Sequence, residues 1–109
     1  MIKICLKRDK EGFIREFSIK GHAGYAEHGK DIVCAGVSAI AYTTLAALKE
    51  IAGICNYTEK KGSIECSIPK DISQDAKIKG KIILDTMAIG FKQIEREYKD
   101  YVLVFDKEV

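Results

Sequence analysis

The chain opens on an alternating pattern. Over residues 2 to 8, Ile2, Ile4 and Leu6 fall on one face while Lys3, Cys5 and Lys7 fall on the other, and residues 13 to 20 alternate likewise. A period of two marks half-buried strands. The turn Asp9-Lys10-Glu11-Gly12 joins them as an antiparallel hairpin with a glycine-containing loop. A glycine-rich loop follows, from Gly21 to Lys30.

At Asp31 the period changes. Asp is a favoured N-cap because its carboxylate accepts the unpaired N–H groups of a first helical turn, so a long helix is predicted from there to about Ala52. Val37, Ile40, Ala41, Thr44, Leu48, Ile51 and Cys55 recur at helical spacing as its expected core stripe, and Gly53 supplies the stop. Two strands are expected around 55 to 60 and 63 to 68, broken by Lys61-Gly62. Ile64, Cys66 and Ile68 share one face there, which makes Cys66 a core residue, and Pro69 ends the strand. Ser73 caps a second helix over roughly 74 to 98, with Ile83, Met87, Gly90, Phe91, Ile94 and Tyr98 as its buried stripe. A last strand runs from Tyr101 to Phe105. The order ββαββαβ predicts an α+β two-layer sandwich: a small, largely antiparallel sheet with two long helices on one face.

At 109 residues the expectation is a single domain, 1–109, with one core. A hydrophobic content of 47% excludes disorder. Any substrate pocket is then a shallow groove on one layer or at a subunit interface. The charge is nearly balanced, 18 basic against 16 acidic residues, which argues against direct nucleic-acid binding. Lys77, Lys79 and Lys81 read as the solvated face of a helix. The stretch Ile32 to Leu48 carries no charge. It is shorter than the ~20 residues of a membrane span and contains Gly36, Ser38, Thr43 and Thr44, so a buried helix is expected and no membrane partner.

Cys5, Cys34, Cys55 and Cys66 form no CxxC pair, and no secretory leader precedes the first strand. A cytoplasmic location with reduced thiols is therefore expected, the cysteines being core residues or a reactive site. Cys34 stands out. If Asp31 is the N-cap, Cys34 is the third helical residue, where the positive helix end and free N–H groups favour a thiolate. Ala35 and Gly36 leave room for a substrate backbone, and Ser38 shares the helix face of Cys34, either supporting the site or bonding back to the helix carbonyl at 34. His22 ends the second strand, near the edge to which the helix returns, so a His–Cys pair is possible at that junction. The bland alternative is a buried helical cysteine beside an unpartnered loop histidine.

His28, mid-loop beside Glu27, reads as solvated. His22, His28 and Cys34 lack the close pairing of structural zinc ligands and have no fourth member, so neither metal nor cofactor is expected. Asp31 is occupied as a cap and Glu27 lies in the loop, which points to a dyad without an orienting acid. Gly21, Gly24 and Gly29 let the loop take positive φ, as a lid or a plain connector.

The run from Gly21 to Ile40, GHAGYAEHGKDIVCAGVSAI, resembles the ribosomal-processing cysteine protease Prp family. The chain length, the leading strand pair and the helix at the cysteine fit that resemblance. It implies a cysteine endopeptidase that removes a short N-terminal extension from large-subunit ribosomal protein twenty-seven, cutting after an aromatic pair in an apolar motif. It also implies that His22 and Cys34 are the catalytic pair and that the protein is a homodimer. In that frame Gly21, Gly24, Tyr25, Asp31 and Ser38 are supporting or substrate-binding residues. Tyr25, Val33 and Val37 are expected to line an apolar groove, and helix-start N–H groups to hold the oxyanion. Two rivals stand beside it: a non-catalytic ribosome-associated peptide-binding protein with a structural Cys34, and a thiol-dependent enzyme acting on a small molecule. No cofactor fingerprint supports the latter. The uncharged first helix is wider than one core face requires, with Ile32, Ala39, Tyr42, Thr43 and Ala46 in need of cover. A dimer near that helix or its preceding loop would supply it.

Overall fold

The computed structural model describes all residues, 1–109. β1 (Ile2–Arg8) and β2 (Ile14–Lys20) form the antiparallel hairpin, with Ile4 opposite Ile19 and Leu6 opposite Phe17. Then come α1 (Ile32–Ala52), β3 (Tyr57–Lys60), β4 (Ser63–Ser67), α2 (Gln74–Glu97) and β5 (Val102–Glu108). The strands form one open five-stranded sheet in the order β3-β4-β2-β1-β5. Every neighbouring pair is antiparallel except β1 and β5, which run parallel. The ββαββαβ, α+β arrangement is the expected one, with a mixed sheet.

The alternation decides which face the helices cover. Ile2, Ile4, Leu6, Phe17, Ile19, Ile64, Cys66 and Val102 are buried on one side. Lys3, Cys5, Lys7, Ser18 and Lys20 remain on the other, where Lys7 pairs with Glu16 and Lys20 with Glu65. Burying a large apolar side chain contributes roughly 1.5–3 kcal/mol, so this one-sided pattern fixes the strand register. On length and composition alone α1 is apolar enough to cross a bilayer. In this fold Val33, Val37, Ala41, Thr44, Leu45, Leu48 and Ala52 form its core stripe.

That stripe differs from the expected one. Ile40 is only half-buried, and Ile51 is 57% exposed. Cys55 is exposed as well. The reason is the helix end. Gly53 takes a left-handed φ of 69° and donates to Lys49 O, while Ile54 N–H donates to Leu48 O. This C-terminal turn swings Ile54 into the core and takes Cys55 off the helix altogether. On α2 the fully buried residues are Gly80, Leu84, Met87, Ala88 and Phe91. The expected Ile83, Gly90, Ile94 and Tyr98 are half-buried. Ile83, Gly90 and Ile94 lie toward α1, where Gly90 and Gly36 admit close contact: a Cβ on Gly90 would meet Ile40 Cδ1 at 3.0 Å, and one on Gly36 would meet Ile94 Cδ1 at 3.4 Å. β3 starts later than expected, and β5 extends three residues past Phe105, to Glu108. That extension is charged and shows no alternation. Asp106 holds it, accepting from Arg8 Nε at 2.8 Å and Lys92 Nζ at 2.6 Å.

Gly21 ends β2 with φ 98°, and its N–H donates to Gly62 O at 2.9 Å. A Cβ there would collide with the Met1 carbonyl oxygen, whereas one on Gly24, at φ 71°, would meet nothing within 4 Å. Left-handed φ costs a non-glycine residue about 1–2 kcal/mol. Gly24→Ala should therefore cost about that much, and Gly21→Ala at least about 3 kcal/mol, because backbone must move as well. Urea unfolding of both variants checks this. Equal losses would show that the Met1 contact is unimportant.

Candidate active site

Asp31 sets the start of α1. Its backbone is extended, φ −82° and ψ 99°, and its carboxylate bonds both ways along the chain. Oδ1 accepts the Cys34 N–H at 2.9 Å, and Oδ2 accepts the Tyr25 N–H at 3.1 Å. The Cys34 bond above all holds the carboxyl below the usual carboxylate range. The cap thereby makes Cys34 the third residue of α1 and ties the preceding loop to the helix start.

His22 follows Gly21 at the end of β2, and its imidazole lies against the β3–β4 turn: Nε2 would be 3.2 Å from a Cβ on Gly62. The glycine leaves the room that the ring occupies. His22 and Cys34 line one cavity of about 140 Å³. One wall is the α1 stripe Cys34, Val37, Ser38 and Tyr42; the other is Lys60, Gly62 and Ser63 of the hairpin. Gly21 lies at its end, with Ile2, Ile19 and Ile64 from the sheet beneath. Cys34 is half-buried and His22 exposed. The hydrogen bonds at the junction are those of Asp31, not of thiol or imidazole.

The remaining candidates lie elsewhere. Tyr25 does not line this cavity. Its ring packs edge-on against Tyr98 at 5.7 Å and Tyr101 at 5.2 Å, pinning the loop to the end of α2. Val33 is core, 1% exposed, so of the three expected groove residues only Val37 faces the cavity. Gly24 and His28 are exposed loop residues outside it, and no three His, Cys, Asp or Glu side chains converge anywhere as a metal-holding group. Tyr42 was missed, although its position eight residues beyond Cys34 and four beyond Ser38 puts it on the same helix face. Its hydroxyl donates to Glu59 Oε1 at 3.0 Å, and that bond raises its pKa. The hairpin residues Lys60, Gly62 and Ser63 carried no signal, because only the pairing of β4 with β2 brings them to His22.

The thiols divide by environment. Burial pushes the Cys66 thiol up to about 12, Cys5 is half-buried on the open sheet face, and Cys55 is exposed.

Comparison with known proteins identifies the family and the fold. The family model described as cysteine protease Prp matches residues 1–103. The ribosomal processing cysteine protease Prp of Bacillus subtilis (strain 168) is 33% identical over 107 residues, covering 95% of this chain and 96% of its own. That of Staphylococcus aureus (strain Mu50) is 30% identical over 105 residues, covering 94% and 95%. The crystal structure of the S. aureus Prp with a covalently linked product peptide superposes with a TM-score of 0.89 at 27% identity, covering 98% of this chain and 100% of that one.

Cys55 is exposed and so is open to alkylation beside Cys34. Brief iodoacetamide treatment at neutral pH, followed by peptide mapping, should label Cys34 and Cys55 and leave Cys66 unmodified. His22→Ala should slow Cys34 several-fold and leave Cys55 unchanged, because only Cys34 shares a cavity with the imidazole. Equal slowing of both, or none at Cys34, would separate His22 from the thiol.

Proposed function

Because the chain belongs to the cysteine protease Prp family of ribosomal-processing proteases, we propose that it removes a short N-terminal extension from large-subunit ribosomal protein twenty-seven, with Cys34 as nucleophile and His22 as its base. The chain is a cysteine protease; the substrate and the residue roles are our reading. The observation that carries the roles is the shared cavity, into which the first turns of α1 bring the thiol and the end of β2 brings the imidazole.

In this reading His22 takes the thiol proton and Cys34 Sγ attacks the scissile carbonyl carbon, giving a tetrahedral oxyanion. Collapse expels the amine, which His22 protonates, and leaves a thioester on Cys34. Water, deprotonated by His22, then releases the new carboxylate and restores the thiol. The donor nearest the nucleophile is the Cys34 N–H, which Asp31 already holds. An oxyanion at the helix start must displace that carboxylate, and the loop fixed to it through Tyr25 N–H must adjust with it. Ser38, four residues on, lines the same wall and supports the site from there. The reaction needs no metal or cofactor, and its reduced thiol suits the cytoplasm.

The outer helical surface carries the case for a homodimer. Ile32, Ile78, Ile82 and Ile89 are exposed, and an apolar groove of about 540 Å³ runs between α1 and α2, walled by Ile40, Ala47 and Ile83; Tyr42, expected there, faces the thiol cavity instead. A two-fold partner would cover it. No nucleic acid or membrane enters this reading.

Intact mass after incubation with the extended ribosomal protein should show loss of the N-terminal segment. Cys34→Ser and His22→Ala should each lower the rate by at least about 100-fold, while His28→Ala stays near wild type. Turnover that survives Cys34→Ser would overturn the nucleophile assignment. Sedimentation at micromolar concentration should give twice the 12.1 kDa chain mass; a clean monomer would remove the dimer.

A further inference from the structure

The helices cover one face of the sheet and leave the other open. On that open face the odd-numbered residues of the two parallel strands stand side by side: Lys3, Cys5 and Lys7 on β1, Leu103, Phe105 and Lys107 on β5. None is acidic, because Asp106 and Glu108 fall on the alternate positions. A depression of about 500 Å³ lies here and shares no residue with the thiol cavity. Lys3, Lys7, Lys20 and Lys107 all line it, with Cys5 and Phe105 between them. The register sets cation beside cation: Lys3 stands opposite Lys20, and Lys7 beside Lys107. Like charges in such positions destabilise a sheet. Glu16 and Glu65, from the β2–β4 half, offset Lys7 and Lys20, whereas Lys3 and Lys107 hold no carboxylate. Both ion pairs are half-exposed, and pairs of that kind contribute little, so Lys7 and Lys20 remain available to another anion. Phe105 is the only aromatic residue on this face and is 47% exposed.

We propose that this face binds an unpaired stretch of RNA, with a base stacked on Phe105 and the phosphates on either side of it meeting the lysine pairs. The spacing suits this. Lys3 and Lys7 lie about 13 Å apart at roughly 3.3 Å per strand residue, and the ring stands beside the midpoint, opposite Cys5. Stacking on an aromatic side chain within a cationic track is the general way single strands are held. A second copy of the chain would set lysine against lysine, and an acidic peptide would leave the ring unused. Whole-chain charge balance, which argued against nucleic-acid contact, averages over this face. The choice of RNA rests on the ribosomal-protein reading above; the cationic and aromatic character of the face does not.

A labelled oligouridylate of about ten nucleotides, titrated against the full chain by fluorescence anisotropy, should bind with a micromolar Kd at about 0.05 M salt. Phe105→Ala should weaken binding about fivefold to 100-fold and leave its salt dependence unchanged. Lys3→Gln with Lys107→Gln should lower the slope of log K against log salt by about 1.4, two phosphates at about 0.7 each. Lys10→Gln with Lys99→Gln removes the same charge from exposed positions elsewhere and should change binding less than about twofold. Bound RNA should slow alkylation of Cys5, which lines the depression, and leave Cys34 and Cys55 unaffected. Equal losses in the two lysine pairs, wild-type binding by Phe105→Ala, protection of Cys34 in place of Cys5, or equally tight binding of polyglutamate or of duplex RNA overturns the proposal. Cleavage of the extended ribosomal protein, free in solution, should be unchanged by Lys3→Gln with Lys107→Gln. Cleavage without RNA binding removes only the RNA face, and RNA binding without cleavage removes only the protease reading.

Discussion

Two hydrogen bonds from one carboxylate hold the functional end of this molecule together. Asp31 accepts from Cys34 N on the helix side and from Tyr25 N on the loop side. The first fixes where α1 begins, and with it the position of the thiol. The second fixes the loop that connects that helix to the strand carrying His22. A helix start has four unpaired N–H groups, and a side chain that satisfies one of them decides the direction in which the chain enters. In the proposed mechanism the oxyanion uses the same donors, so the cap and the chemistry would compete for the Cys34 N–H that Asp31 holds.

The Cys34 thiol borrows its rigidity from the core. Val33, Val37, Ala41 and Leu48 bind α1 to the sheet, and Cys34, Ser38 and Tyr42 lie on the adjoining stripe of the same helix. Val37 belongs to both, buried at 2% exposure and forming part of the cavity wall. The thiol cannot move without moving a helix packed along its whole length. His22 is held likewise, two residues past the end of β2 and next to Gly21, whose N–H bonds to the neighbouring hairpin. Loop residues 23–30 need no rigidity of their own, because both of its ends are fixed by elements that have it.

The parts of this arrangement that depend on local pattern were legible in the sequence. Strand alternation in β1 and β2, the Asp31 cap, the Gly53 stop and the burial of Cys66 all follow from residues close together in the chain. The His22 and Cys34 candidates rested on the same kind of evidence, a strand end and a helix start. Features set by distant pairing were not legible. The charged tail of β5 forms because Arg8 and Lys92 meet Asp106, which no alternation announces. Tyr25 looked like a groove residue, but Tyr98 and Tyr101 lie where its ring can pack, and they come from the other end of the chain. Gly62 reads as a turn glycine; its second role, leaving space for the imidazole, appears only once β4 is beside β2.

The cleft is walled by the ends of elements that exist for other reasons. The two walls differ in strength. α1 is buried along one stripe, whereas all four residues of β3 are exposed and the strand contributes nothing to the core. Its attachment is the backbone ladder to β4 and the single side-chain bond from Tyr42 to Glu59. Segments with few buried apolar contacts open at low free-energy cost, while those in the core open only with the whole fold. The hairpin wall therefore yields at lower free-energy cost than the helix wall, and the thiol stays fixed relative to the core.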